Sequence, residues 1–179
     1  MEERKERARR NFPLAEEKEM LELSHSIKIK TSPDKIFEWF GDLPVYYRSW
    51  HPEHVTARWI KKFEEGVGTV FYAEQKLDGD RGGYIFTVTE YVPGRLIVYK
   101  PSFPRSLNLS RGSFVVEPVE GGCIFTATLR FRFGFLMSES FLKDIKIHIG
   151  EEGENLKKLL ESKRTLKTKP RYEVAASAA

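Results

Sequence analysis

The hydrophobic period of this chain changes at about residue 134, and that change limits the folds open to it. Upstream, apolar and polar residues alternate in short runs at 55–63, 68–77, 84–91, 96–100, 110–117 and 123–133, the period-two pattern of half-buried strands. Downstream, from 138 to 162, Phe141, Ile145, Leu156 and Leu159 recur at helical spacing. Turn-forming stretches separate the strand runs: Glu64-Glu65-Gly66, Asp78-Gly79-Asp80-Arg81-Gly82-Gly83, Pro93-Gly94 and Glu120-Gly121-Gly122. Strands joined this way form consecutive hairpins, so the sheet is antiparallel and the fold class is α+β. The terminal helix is expected to lie across the sheet.

Residues 21–30 also alternate, predicting one more strand at the start. Thr31 or Ser32 then offers a helix N-cap, Pro33 suits the first turn, and Ile36, Phe37, Trp39 and Phe40 form an apolar stripe. Gly41-Asp42 breaks that helix, and 43–50 reads as a second short helix or a loop, stopped by Pro52. Inside the long helix, Gly150 and Gly153 each cost about 1 kcal/mol relative to alanine. They mark either a close approach to the sheet or a ligand, or a kink.

A chain of 179 residues fits one domain, 21–162, between a charged N-terminal extension, 1–20, and a basic tail, 163–179, expected to be disordered. Such a domain buries a core without metal or disulfide support, so a metal here would serve function. Cys123 is the only cysteine, which excludes an intrachain disulfide and a cysteine-rich zinc module and points to a reducing cytoplasm. No secretory signal is expected, and no run of about 18 apolar residues would cross a membrane. The net charge of +4 gathers at the two ends, around 4–10 and 163–171, outside any nucleic-acid-binding motif. Phosphate-loop, nucleophile-elbow and dinucleotide fingerprints are absent.

The chemistry-bearing residues fall into two clusters. His148 and Glu152, four apart on the long helix, share one face with its apolar residues. His51 and His54 lie together in Trp50-His51-Pro52-Glu53-His54, so these clusters hold three of the four histidines. Glu74, inside an apolar strand, is a further candidate. Two imidazoles and two carboxylates suit zinc, and also iron, manganese or cobalt. Glu53 and Glu151 stand beside the proposed ligands as proton carriers.

The order of one strand, two short helices, six strands and a long helix resembles the helix-grip fold of the START and Bet v 1-like (SRPBCC, polyketide cyclase-like) superfamily. In that fold a curved sheet of about seven strands wraps the terminal helix and leaves a cavity. The stretch Tyr47-Arg48-Ser49-Trp50-His51-Pro52 further resembles the tyrosine-x-x-tryptophan-histidine-proline segment of the diacetylphloroglucinol and phloretin hydrolases. Those enzymes are zinc-dependent and cleave a carbon–carbon bond between an acyl group and a phenolic ring. The resemblance implies His54, Glu74, His148 and Glu152 as metal ligands, with His51 open as the alternative to His54. It implies Tyr47 and His51 as catalytic residues, Tyr47 touching the substrate's hydroxyls. Their further catalytic histidine would fall near 113–122, where this chain has none. Tyr46, Trp59, Tyr72, Tyr84, Phe86 and Phe131 are candidates to line the pocket. The expected partner is a small hydrophobic or phenolic molecule, as the substrate of a hydrolase or the cargo of a non-enzymatic carrier. No nucleic acid and no membrane are expected, and a homodimer is left open.

Overall fold

The computed structural model describes residues 20–77 and 80–162. The extension before residue 20 and the tail after 162 lie outside the described residues. β1 (Leu21–Ile29) leads through Ser32 and Pro33 into α1 (Pro33–Gly41), followed at once by α2 (Leu43–Trp50). Then come β2 (His54–Lys61), β3 (Val70–Leu77), β4 (Asp80–Val92), β5 (Leu96–Pro101), β6 (Leu109–Val119), β7 (Gly122–Phe131) and α3 (Glu139–Glu161). The seven strands form one antiparallel sheet in the order β1-β7-β6-β5-β4-β3-β2. Consecutive strands are neighbours throughout, except that α1 and α2 carry the chain from one edge of the sheet to the other. This is the expected helix-grip architecture.

Burial on one face drives the arrangement. Along β7 the residues Cys123, Phe125 and Ala127 are buried while their neighbours are only half-buried, so alternation points every second side chain into the core. Phe40 of α1 stacks on Phe114 of β6 with ring centroids 4.7 Å apart, and Phe125 stands 6.0 Å from Phe40. Irregularities in register between His54 and Thr56, Trp59 and Lys61, Val88 and Glu90, and Leu109 and Arg111 interrupt the ladder. Such bulges bend strands.

α3 runs unbroken through both glycines, and both lie close against the sheet. A Cβ at Gly153 would sit 3.0 Å from the His25 ring of β1, and one at Gly150 would sit 3.7 Å from it. The helix therefore seats its glycine side on β1. At its far end Glu161 accepts a hydrogen bond from the backbone of Lys30 at 2.8 Å, fixing it to the end of the same strand. The opposite side of α3 is left over a cavity of about 200 Å³, lined among others by Tyr47, Phe71, Gln75, Phe86, Tyr99, Phe131, His148 and Glu152.

Candidate metal centre and cavity

His51, His54 and His148 are all buried and offer ring nitrogens within 4.8 Å of one another. Each comes from a different local device. His51 is the C-cap residue of α2, His54 is the first residue of β2, and the turn between them is closed by a hydrogen bond from the His54 amide to the His51 carbonyl at 3.0 Å. His148 arrives from α3, one turn before Glu152. Trp50 donates its indole N–H to the Glu152 backbone carbonyl at 3.0 Å, tying α2 to α3 beside the cluster.

The tautomers follow from the partners. His54 Nδ1 lies 3.0 Å from the Tyr47 carbonyl, which only accepts, so Nδ1 carries the proton. His148 Nδ1 donates to the Glu53 carboxylate at 2.9 Å. The Nε2 atoms of both rings are thereby turned toward one oxygen: His54 Nε2 lies 3.1 Å and His148 Nε2 3.5 Å from Glu152 Oε1. The His54 contact lacks hydrogen-bond geometry, so this fully buried nitrogen has no hydrogen-bond partner among the described residues. A lone pair facing a carboxylate oxygen at that distance is repulsive unless a metal ion, or a proton on Nε2, stands between them. Donors around a tetrahedral ion with bonds near 2.0 Å are separated by about 3.3 Å, close to the spacing seen. Two imidazoles and one carboxylate are also a donor set used by catalytic zinc. The residues present fit a divalent ion.

His51 differs from the other two. Its Nε2 donates to Glu151 at 2.9 Å while its Nδ1 accepts the Glu53 amide at 3.2 Å, so both nitrogens are engaged. Glu74 is not brought to the cluster. Parity on β3 points Phe71, Ala73 and Gln75 into the cavity and sends Tyr72 and Glu74 to the other face, where Glu74 pairs with Arg81 and accepts from the Tyr72 hydroxyl at 3.4 Å. Gln75 is the residue opposite His54 in the ladder, and it accepts the Tyr47 hydroxyl at 3.1 Å.

Of the expected pocket residues, Tyr84, Phe86 and Phe131 line the cavity. Tyr72 lies outside, under the Arg58 guanidinium, and Tyr46 stacks on Trp39 with centroids 6.0 Å apart. Trp59 lines a second cavity of about 150 Å³, whose walls share Leu43, Phe71, Tyr99 and Phe114 with the first. Sequence reasoning missed Gln75 and Tyr99. Tyr99 lies across Gly112, where a Cβ would stand 2.3 Å from its ring, and only glycine leaves that room.

A sequence profile of the polyketide cyclase / dehydrase and lipid transport family matches residues 20–161. The chain belongs to that family. No curated protein matches it by sequence. Among solved structures, this family member is similar to a START superfamily protein from Mycobacterium smegmatis, with 14% identity, a TM-score of 0.65, and coverage of 78% of this chain and 97% of that one. It is similar to Ara h 8.0201, with 16% identity, a TM-score of 0.62, and coverage of 79% and 98%. It is also similar to the di-domain ARO/CYC StfQ from the steffimycin biosynthetic pathway, at 12% identity and a TM-score of 0.64, covering 79% of this chain and 51% of that one. At these identities the likeness establishes the fold. No helix among the described residues is long and apolar enough to cross a membrane.

The electrostatics of the family member's cluster are tightly coupled. In the absence of an ion, burial pushes the Glu152 carboxyl up, but the adjacent His148 and His54 imidazoles, when protonated, outweigh it and hold the group down at about 2. Burial opposes protonation of His148, yet Glu152 and Glu53 together raise its pKa. Burial lowers that of His51 in spite of Glu151. Burial, then the nearby Glu152 charge, pushes the Tyr47 phenol up, so it stays a hydrogen-bond donor.

In metal-free protein a depressed carboxyl contributes stability that is complete above its ordinary 4.5 and is lost as pH falls toward about 2. A raised imidazole contributes stability that is complete below its ordinary 6.5 and fades as pH rises through the raised value. Urea midpoints of chelator-treated protein are therefore expected to fall below pH 4.5, and Glu152→Gln to flatten that acid limb. An unaltered limb in the variant would remove Glu152 as its cause.

Proposed function

We propose that this protein is a divalent-metal-dependent hydrolase, with zinc the first candidate, acting on a small acylated phenolic or β-dicarbonyl compound held beneath α3. The observation that carries the reading is the convergence of His54 Nε2 and His148 Nε2 on Glu152 Oε1, with His148 and Glu152 in the wall of a largely apolar cavity and His54 buried behind them. His54, His148 and Glu152 would hold the ion, with His51 the nearest further imidazole. When bound, such a cation supplies Lewis-acid polarisation and makes water a stronger nucleophile at neutral pH.

The chain's own groups do the rest. Tyr47 lines the cavity with its phenol kept protonated, and can exchange its bond to Gln75 for one to a phenolic or enolic oxygen of the substrate. Its ring stacks on His54, with centroids 4.0 Å apart and planes within 3°, so the residue that orients substrate is aligned with a metal donor. Phe86 and Tyr99 meet edge to face at 5.4 Å, giving the cavity an aromatic wall against which a planar ring can lie. In the carbon–carbon cleavage implied by the hydrolase resemblance, hydroxyl from water ends on the acyl carbon and a proton on the departing ring carbon.

The test is release of carboxylic acid from a panel of acylphenols and β-diketones by zinc-loaded protein. Turnover that disappears on chelation and returns on reloading is expected, with Tyr47→Phe slowing it by about 100-fold. A second reading, a carrier for a hydrophobic small molecule, is favoured by the apolar lining and by a family description that includes lipid transport. Tight binding of the same compounds by chelated protein, with no turnover by loaded protein, would select it.

A further inference from the structure

The two loops at the open end of the cavity carry an unusual concentration of exposed apolar side chains. Among the described residues thirteen large hydrophobics are exposed, and the four most exposed are Phe103 at 77%, Phe135 and Leu136 at 72% each, and Leu107 at 58%. Phe133, at 45%, belongs with them, its ring 6.3 Å from that of Phe135. All five sit in 102–108, between β5 and β6, or in 132–138, between β7 and α3. A surface that exposes its largest apolar groups side by side is marked for contact with something other than water.

The loops form one structural unit. The Arg132 amide donates to the Asn108 carbonyl at 2.8 Å, and the Phe133 amide donates to the Asn108 side-chain oxygen at 3.1 Å. Each loop contains a single short 3-10 turn, Arg105–Leu107 and Gly134–Leu136, which props its apolar residues outward. Gly134 seats this unit on β1, since a Cβ there would stand 2.3 Å from the Leu21 side chain. The same loops supply Arg105, Asn108 and Met137 to the lining of the larger cavity, so the apolar patch is the rim of its mouth.

Charge selects the occupant. Within the two loops Arg105 and Arg132 are exposed and no acidic residue occurs. Arg105 lies over the Tyr84 ring at 4.8 Å, at the boundary between rim and cavity. Exposed phenylalanine and leucine beside guanidinium groups that form no ion pair among the described residues match the interface of an anionic bilayer, where apolar side chains enter the acyl boundary and cations stay among the phosphates.

We propose that this rim docks the protein on the surface of anionic membranes, with the cavity mouth facing the lipid, so that a hydrophobic ligand passes between bilayer and cavity without crossing water. The inference goes beyond the hydrolase reading and holds for an enzyme and for a carrier alike. The docking is peripheral and reversible.

The test is co-sedimentation of the full chain with phosphatidylcholine vesicles, with and without about a third phosphatidylglycerol, at low and at physiological salt. Binding to the anionic vesicles and its weakening by salt are expected. Phe135→Ser with Leu136→Ser should reduce partitioning at least 10-fold, and Arg132→Glu by more than about fivefold, as each cation near an anionic surface contributes that much. Ile60→Ser, another exposed apolar site at 51%, should leave it unchanged. Thermal stability of the double variant should match that of the parent. Failure of the parent to sediment with anionic vesicles overturns the proposal. So does self-association in sedimentation velocity that the double variant abolishes, since the patch then belongs to a second copy. A marked loss of thermal stability in the double variant also overturns it, because the patch is then covered by the chain itself.

Discussion

Replacing His148 with alanine is expected to lower zinc affinity by more than 100-fold, measured by competition with a chromophoric chelator. The figure rests on comparison with the outer shell, where loss of a group that merely orients a ligand costs about 10- to 100-fold. Glu53 is such a group, holding His148 Nδ1 at 2.9 Å, so Glu53→Gln should fall in that lower range. His54→Ala should match His148→Ala, because its Nε2, without a hydrogen-bond partner among the described residues, points at Glu152 Oε1. Glu74→Gln should change nothing, since that carboxylate lies on the other face of β3 with Arg81. Thermal unfolding gives an independent readout. Zinc at a thousand times its Kd adds about 4 kcal/mol to the parent, roughly 10 °C in Tm for a domain of this size, and none of that gain should appear in His148→Ala. Retained affinity in that variant, or loss in Glu74→Gln, would sink the assignment of the site.

How much of this was legible in the chain depends on which periodicity carried it. The order of elements could be read because strand and helix repeats differ by nearly a factor of two, and glycine-rich turns punctuate the runs. His148 and Glu152 could be placed on one face because four residues make about one helical turn. Glu74 could not be placed, because a strand shows only parity. In Val70–Leu77 both faces carry a large aromatic side chain, Phe71 inward and Tyr72 outward, so hydrophobicity does not say which phase is buried. The register irregularity between His54 and Thr56 then sets Gln75 opposite His54, where an unbroken ladder from the Thr56–Glu74 pair would set Lys76. Trp59 faces the core side too, but far enough along β2 to line the second cavity and not the first. The roles of Glu53 and Glu151 depend on the tight turn after α2 meeting α3, a long-range contact with no local signature.

Trp39→Ala is expected to cost about 3–5 kcal/mol in urea unfolding, the usual range for emptying a buried tryptophan site, a large share of the 5–15 kcal/mol that holds a typical domain. Trp39 is 2% exposed on α1, edge-on to Phe40 and Trp50 with centroids at 5.1 Å from each. Its indole N–H has no hydrogen-bond partner among the described residues. Trp39→Phe, which removes that buried unsatisfied donor along with some volume, should therefore cost less than half as much as alanine. The effect reaches the metal centre because Trp50 stands between: it touches Trp39 on one side, lies 5.3 Å from the His54 ring on the other, and holds the Glu152 carbonyl through its own N–H. Loss of the Trp39 ring frees Trp50 to tilt, and the donors on either side of it lose their common reference. Zinc affinity should fall in Trp39→Ala and recover in Trp39→Phe, whereas Val116→Ala, fully buried on β6, should lower stability without changing affinity. A penalty below about 1 kcal/mol for Trp39→Ala, or zinc affinity unmoved by it, would mean that the helix pair positions the site without this core contact.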